Sequence, residues 1–183
     1  KTREIGGTPE AEKIRDLVVR REGGDWLPLS MLLLVGVSRY EHTQKVILPA
    51  VQSGRIVLSD RYLDSTYVYQ VACGKTHLSD FHAINVLTLH DFIPDLTLIL
   101  DVDPTTSVTR MRQSVQPNVS ALEKADDRFE QQGSALQKKV RAAYLDIANA
   151  NPGRCVVVDA TQSVDKVAED VWKIVEQRVI ARG

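Results

Sequence analysis

Apolar residues run through this chain in two rhythms, at helical spacing in some stretches and as short unbroken β-branched runs in others. Ile14, Leu17 and Val18 form the first helical stripe. Thr8-Pro9 opens it with a capping hydroxyl and a proline at the first helical position. Glu10 and Glu12 fall in the first turn, where acids suit the helix dipole, and Gly23-Gly24-Asp25 ends the element. Leu29, Leu32, Leu33 and Val37 predict a second helix over about 29–47, kinked or terminated by Pro49. Ser53-Gly54 then turns the chain into a strand over 56–59. Ser79 caps a helix carrying Ile84, Leu87 and Leu89, which Pro94 stops. A strand follows over 96–100, and another helix starts near Thr105. Between 113 and 126 the pattern dissolves into Ser, Gln, Pro and Asn, the composition of a mobile excursion. A long helix over about 131–149 and a fully buried strand over 155–159 come next. Ser163 caps the last helix, with Val164, Val167, Ala168, Val171, Ile174 and Val175 on one side.

Strands that are apolar throughout are buried on both faces, which means a parallel sheet between helices. The expected architecture is therefore α/β and doubly wound, one domain spanning residues 1–183, without internal repeats or a linker. Charge narrows the partners. With 23 basic and 24 acidic residues the net charge is -1, which argues against a non-specific nucleic-acid or membrane surface. Cys73 and Cys155 match no metal spacing and read as reduced thiols of a cytoplasmic protein. No apolar run is long enough to span a bilayer, and the opening Lys1-Thr2-Arg3-Glu4 is no secretory signal. The four histidines share no ligand spacing, and Trp26 and Trp172 read as packing residues.

The candidate chemistry sits where the 56–59 run ends, in Asp60-Arg61-Tyr62 followed by Ser65-Thr66 and Tyr69-Gln70. Side chains at the carboxyl ends of parallel strands line the ligand crevice. Asp60 can there hold a hydrated Mg²⁺ while Arg61 forks onto a phosphate. The competing reading is a strand end carrying a surface ion pair.

These residues belong to a longer set of landmarks. Thr2-Arg3-Glu4-Ile5-Gly6-Gly7-Thr8-Pro9 resembles the Thr-Arg-Glu-Pro-Gly-Gly-Thr-Pro signature of thymidylate kinases. Asp60-Arg61-Tyr62 with Ser65-Thr66 and Tyr69-Gln70 is similar to their next conserved segment. Pro94-Asp95-Leu96-Thr97-Leu98-Ile99-Leu100-Asp101-Val102-Asp103-Pro104 resembles their acid-ended strand, and Asp127-Arg128-Phe129-Glu130 the end of their lid. Val140-Arg141, Tyr144-Leu145 and Val158-Asp159-Ala160 complete the order along the whole chain.

The resemblance implies a P-loop nucleoside monophosphate kinase that passes phosphate from ATP to dTMP with Mg²⁺, and a homodimer formed through helix faces including Leu29 and Val37. By the same resemblance Arg61 and Arg3 hold the acceptor phosphate, and Asp60 organises Mg²⁺ through water. Arg39 reads thymine O4. Glu4 and Val35 fall among the substrate-binding positions, and Thr66, Tyr69 and Gln70 bound base and sugar. Phe129 and Glu130 pack by the deoxyribose. Arg110, Arg112 and Arg128 flank the lid, about 113–126, and close on the phosphates. Plainer readings stand beside several of these: Arg39 as a helix surface charge, Arg110 and Arg112 as a solvated helix end, Tyr69 as core. Asp103 before Pro104 reads as a helix start rather than a catalytic acid.

Departures from the pattern are specific. Nothing here resembles Gly-x-x-x-x-Gly-Lys-Ser/Thr, so the first strand and its phosphate cradle are absent from these 183 residues. About 30 to 40 residues, the size of a βα unit, are expected ahead of Lys1 in the complete kinase. Val35 stands where a base-stacking phenylalanine is expected, Ile5 replaces a proline, and Lys75 lies in an altered loop. These departures keep two alternatives open: a non-catalytic nucleotide- or partner-binding descendant, and a kinase for another nucleoside monophosphate.

Overall fold

The structure is a computed structural model and describes residues 1–20, 23–89, 92–113 and 133–182. These fall into two compact units, the first holding the described residues up to 93 and the second those from 94 onward.

In the first unit β1 (Thr2–Arg3) pairs in parallel with β2 (Ser59–Asp60), placing Thr2 against Ser59 and Arg3 against Asp60. Helix α1 (Pro9–Val19) follows β1, and its Thr8 hydroxyl accepts from the Ala11 amide as the sequence predicts. Ala11 and Val18 are its buried residues; Leu17, expected inside, is exposed. Helix α2 (Pro28–His42) supplies Met31 and Val35, which pack with Val18 into one core cluster.

Pro49 does not stop the helical path. The chain widens into a π-helical turn over Thr43–Ile47 and continues as α3 (Leu48–Gln52), with Pro49 in the first turn of that segment. A wider turn is one way to accommodate a residue that has no N–H to donate. After β2 come α4 (Leu63–Thr66), a second π-helical stretch (Tyr67–Ala72) and α5 (Leu78–Leu89), which packs on α2. Ile47, Tyr62 and Leu89 form a second core cluster. The run predicted as a 56–59 strand is ladder only at Ser59–Asp60, and Ile56 is 71% exposed.

The second unit holds β3 (Thr97–Asp101) and β4 (Cys155–Asp159), parallel and in register along five residue pairs. Helix α6 (Pro104–Gln113) follows β3; α7 (Gly133–Ala150) lies on β3 and β4, and α8 (Val164–Arg178) on β4. Ser163 caps α8 as expected, accepting from the Lys166 amide. Two expectations of burial fail here. Val157 in β4 and Leu100 in β3 are exposed, and no residue of α8 is fully buried; Val164 and Ala168 lie open while Val167, Val171, Ile174 and Val175 are half-buried. Each strand has a single ladder partner, so one edge of each is unpaired among the described residues. The parallel pairing that the apolar runs imply is thus present as two ladders, one in each unit.

Candidate active site

The site grows from the carboxyl ends of β1 and β2. Thr2 donates to the Leu58 carbonyl at 2.8 Å and Glu4 to the Asp60 carbonyl at 2.9 Å, so Arg3 and Asp60 stand opposite each other across the ladder. Both side chains are exposed. The Asp60 carboxylate has no hydrogen bond or ion pair among the described residues. Arg61 then takes φ 64°, the only non-glycine residue with positive φ among those described. That conformation costs an L-residue about 1 kcal/mol or more and is a common mark of a site. The Ser59 hydroxyl donates to the Arg61 carbonyl at 2.9 Å, and the Arg61 guanidinium lies 5.3 Å from the Tyr69 ring centroid. Tyr69 is half-buried, so its ring supports Arg61 rather than filling the core.

Below this rim lies a buried polar network. Arg39 is fully enclosed: its Nε and Nη2 donate to Glu4 Oε1 at 3.0 and 2.7 Å, and Nη1 to Asn85 at 2.9 Å. Nη2 also donates to Thr66 Oγ1, and the guanidinium stacks 5.6 Å from the Tyr62 ring centroid. The surface-charge reading of Arg39 is therefore excluded; one N–H on Nη1 is left over. Burial raises Glu4 above its ordinary pKa against the pull of Arg39, and Glu4 Oε2 has no hydrogen-bond partner. Tyr62 shares a 2.6 Å hydrogen bond with Thr43, and burial pushes its phenol up to about 12.

The Gly6-Gly7 turn joins rim to helix. Both glycines have positive φ, 131° and 90°. A Cβ on Gly6 would lie 2.4 Å from Glu12 Oε1, and one on Gly7 2.4 Å from His42 Cδ2. Glu12 accepts from the Gly7 amide at 3.0 Å and from Arg3 Nε and Nη2 at 3.3 and 2.8 Å. Burial alone would raise Glu12; the bonds from Arg3 and Gly7 outweigh it and hold the carboxyl below its ordinary value. His42, enclosed beneath the turn, bonds Thr2 through Nε2 at 2.5 Å, and desolvation lowers its pKa.

The remaining positions sort by unit. Thr66 and Gln70 are buried beside the rim segment, and Val35 is 3% exposed within the α1–α2 core. Arg110 begins no phosphate clamp on its own: it donates to the carbonyls of Ala160, Thr161 and Gln162 at 2.5, 2.7 and 3.1 Å. Asp101 receives Arg141 bidentately at 2.6 and 2.8 Å, which holds its carboxyl low. Asp103 caps α6 through the Thr105 and Thr106 amides, as a helix-start residue should. The Arg112 side chain lies outside what is described, as do Arg128, Phe129, Glu130 and nearly all of the 113–126 lid. Sequence reasoning left out Glu12, Asn85 and His42 as site partners; the helix-opening spacing from Gly7 to Glu12 was the available signal for the first.

No group of three or more His, Cys, Asp or Glu that could hold a metal stands together among the described residues. The donor set at Asp60, a single exposed carboxylate beside arginines, fits a Mg²⁺ that keeps waters and substrate phosphate oxygens as its other ligands.

The described elements are those of an α/β protein, with two parallel ladders packed against helices. Comparison with known proteins makes this specific. The family model described as thymidylate kinase matches residues 1–171. A thymidylate kinase of Dinoroseobacter shibae is 41% identical over 174 residues, covering 93% of this chain and 78% of the relative. That of Caulobacter vibrioides is 38% identical over 178 residues, covering 97% and 81%. A crystal structure of thymidylate kinase from Ehrlichia chaffeensis superposes with a TM-score of 0.70 at 30% identity, covering 95% of this chain and 79% of that one. The chain belongs to the thymidylate kinase family.

Proposed function

We infer that this protein transfers the γ-phosphoryl group of ATP to dTMP, giving dTDP and ADP. The observation that carries the reading is the family match across residues 1–171, joined by relatives near 40% identity over almost the whole chain. Phosphoryl transfer needs positioning and charge stabilisation more than covalent chemistry. Arg61 and Arg3 take the acceptor phosphate, the first from a left-handed backbone position beside the Tyr69 ring. Asp60 would hold Mg²⁺ through water, and the ion would supply neutralisation of charge on the transferred phosphoryl group. Arg39 is assigned to the base by the family pattern; it is enclosed and fixed by Glu4, Thr66 and Asn85, so its one remaining N–H would reach a thymine carbonyl only once binding uncovers it. By the family pattern, Arg112 and Arg128 would supply charge to the phosphates on the donor side.

The protein works as a cytoplasmic homodimer. Supporting this, α2 exposes Leu29, Leu33 and Val37 along one face, an apolar strip that a second copy would cover. No helix among the described residues is long and apolar enough to cross a membrane. A coupled ADP-release assay on the full gene product, run with dTMP, dUMP and dCMP and with EDTA in place of Mg²⁺, tests the reading. Turnover on dTMP first, abolished by EDTA, is the expected result. Turnover on none of the three would leave a nucleotide-binding descendant as the better account. Sedimentation velocity decides the dimer.

A further inference from the structure

A guanidinium has two usable edges, the side edge made by Nε and Nη2 and the end edge made by Nη1 and Nη2. In Arg3 the side edge is occupied by Glu12, at 3.3 Å from Nε to Oε1 and 2.8 Å from Nη2 to Oε2. Nη1 meets no partner among the described residues. The same carboxylate is tied to the Gly7 amide at 3.0 Å, and α1 carries it one turn after its Thr8 cap. Gly6 lies close against it: a Cβ there would stand 2.4 Å from Oε1, and its φ of 131° disfavours a side chain. Two glycines, a cap and an acid are thus arranged around one arginine, which stands opposite Asp60 on the rim.

We propose that Glu12 is a positioning residue for the acceptor phosphate: it grips the side edge of Arg3 and so presents the end edge to the phosphate monoester of the incoming nucleotide. The inference rests on the reading of Arg3 as an acceptor-phosphate ligand. Glu12 touches no substrate itself. Its effect is to hold a long, half-exposed side chain in one orientation.

The test is a double-mutant cycle in the full gene product, with Arg3→Ala, Glu12→Ala, Glu12→Gln and Arg3→Ala/Glu12→Ala. Initial rates are measured with dTMP and ATP varied separately, and dTMP binding is measured by calorimetry without ATP. Loss of one charge-assisted contact corresponds to about tenfold in affinity. Glu12→Ala should therefore raise KM and Kd for dTMP about tenfold while KM for ATP moves less than about twofold. The double variant should be no worse than Arg3→Ala, because Glu12 acts only through Arg3. Glu12→Gln keeps an oxygen for Gly7 and should fall between wild type and Glu12→Ala; it carries the test if Glu12→Ala does not fold. Additive losses in the double variant, or equal changes for both substrates, would mean that Glu12 merely supports the turn and would overturn the proposal. An impaired Arg3→Ala beside an unimpaired Glu12→Ala would sink the inference alone. An unimpaired Arg3→Ala in an active enzyme would remove Arg3 from the phosphate site and the inference with it.

Discussion

Asp60 closes β2 and Asp159 closes β4, each at the carboxyl end of a parallel pair, and their surroundings differ in kind. Asp159 accepts from the Thr161 amide at 2.9 Å and its hydroxyl at 2.6 Å. Its neighbour in the ladder, Asp101, is taken by Arg141, and Asp103 is taken by the start of α6. Arg110, whose charge also lowers Asp159, is turned onto three main-chain carbonyls. In the first unit Asp60 is left open to solvent, Arg61 is held at φ 64° over Tyr69, and Arg3 keeps a guanidinium edge without a partner among the described residues. An acid at a strand end is therefore no site by itself. What separates the two ends is whether local backbone and side chains already use the polar groups.

The largest effect that would break this contrast lies beneath the first rim. Arg39→Met would strand Glu4 in the interior without its cation, at a cost of about 3–5 kcal/mol, or roughly 10 °C in melting temperature. A shift of only a degree or two in a thermal melt would show that the network does not hold the rim. Next in size is the rim itself. Arg61→Ala should lower kcat/KM for dTMP about 100-fold, close to 3 kcal/mol of transition-state binding, with an unchanged melt. Arg61→Gly should lose as much activity yet melt higher, because glycine adopts φ 64° without the steric cost. If both variants retained full rates, the phosphate assignment of Arg61 would be wrong.

Gly7→Ala comes third. Its Cβ would press on the His42 ring at 2.4 Å and its φ of 90° disfavours a side chain, so about 2 kcal/mol of stability should go. Differential scanning fluorimetry reads it directly.

Smallest is the response to pH, where buried Glu4 should oppose the lowered carboxylates, Glu10 and Glu12 of its own unit included. Asp101, Asp103 and Asp159 are held below the ordinary value of 3.8, so their contribution is complete above it. It is lost as pH falls through their lower folded-state values. Glu4 is shifted the other way by burial, so its ionisation weakens the fold as pH rises from 4.5 through its raised value. Trp172 in α8 and Trp26 ahead of α2 report on the second and first units when the other is replaced by phenylalanine. Asp101→Asn should flatten the acid limb seen by Trp172, and Glu4→Gln the rising-pH slope seen by Trp26. Identical profiles in both reporters would erase the contrast.

Much of this was readable in the residues alone, because it depends on neighbours a few positions apart. Hydrophobic period set the helices, the hydroxyls of Thr8 and Ser163 and the carboxylate of Asp103 set three helix starts, and the ordered landmarks from Arg3 to Asp159 set the family. Burial was less legible: Val164, Leu100 and Val157 are apolar yet exposed, since cover depends on which elements stack, not on the run itself. Only the tertiary structure decided which acid each arginine meets. Arg3 and Glu4 are adjacent in the chain, yet one reaches Glu12 across the Gly6-Gly7 turn and the other Arg39, 35 residues away, in a place closed to water. Side-chain charge is local information; the partner that orients it, and the burial that shifts its pKa, exist only once helix and strand have packed.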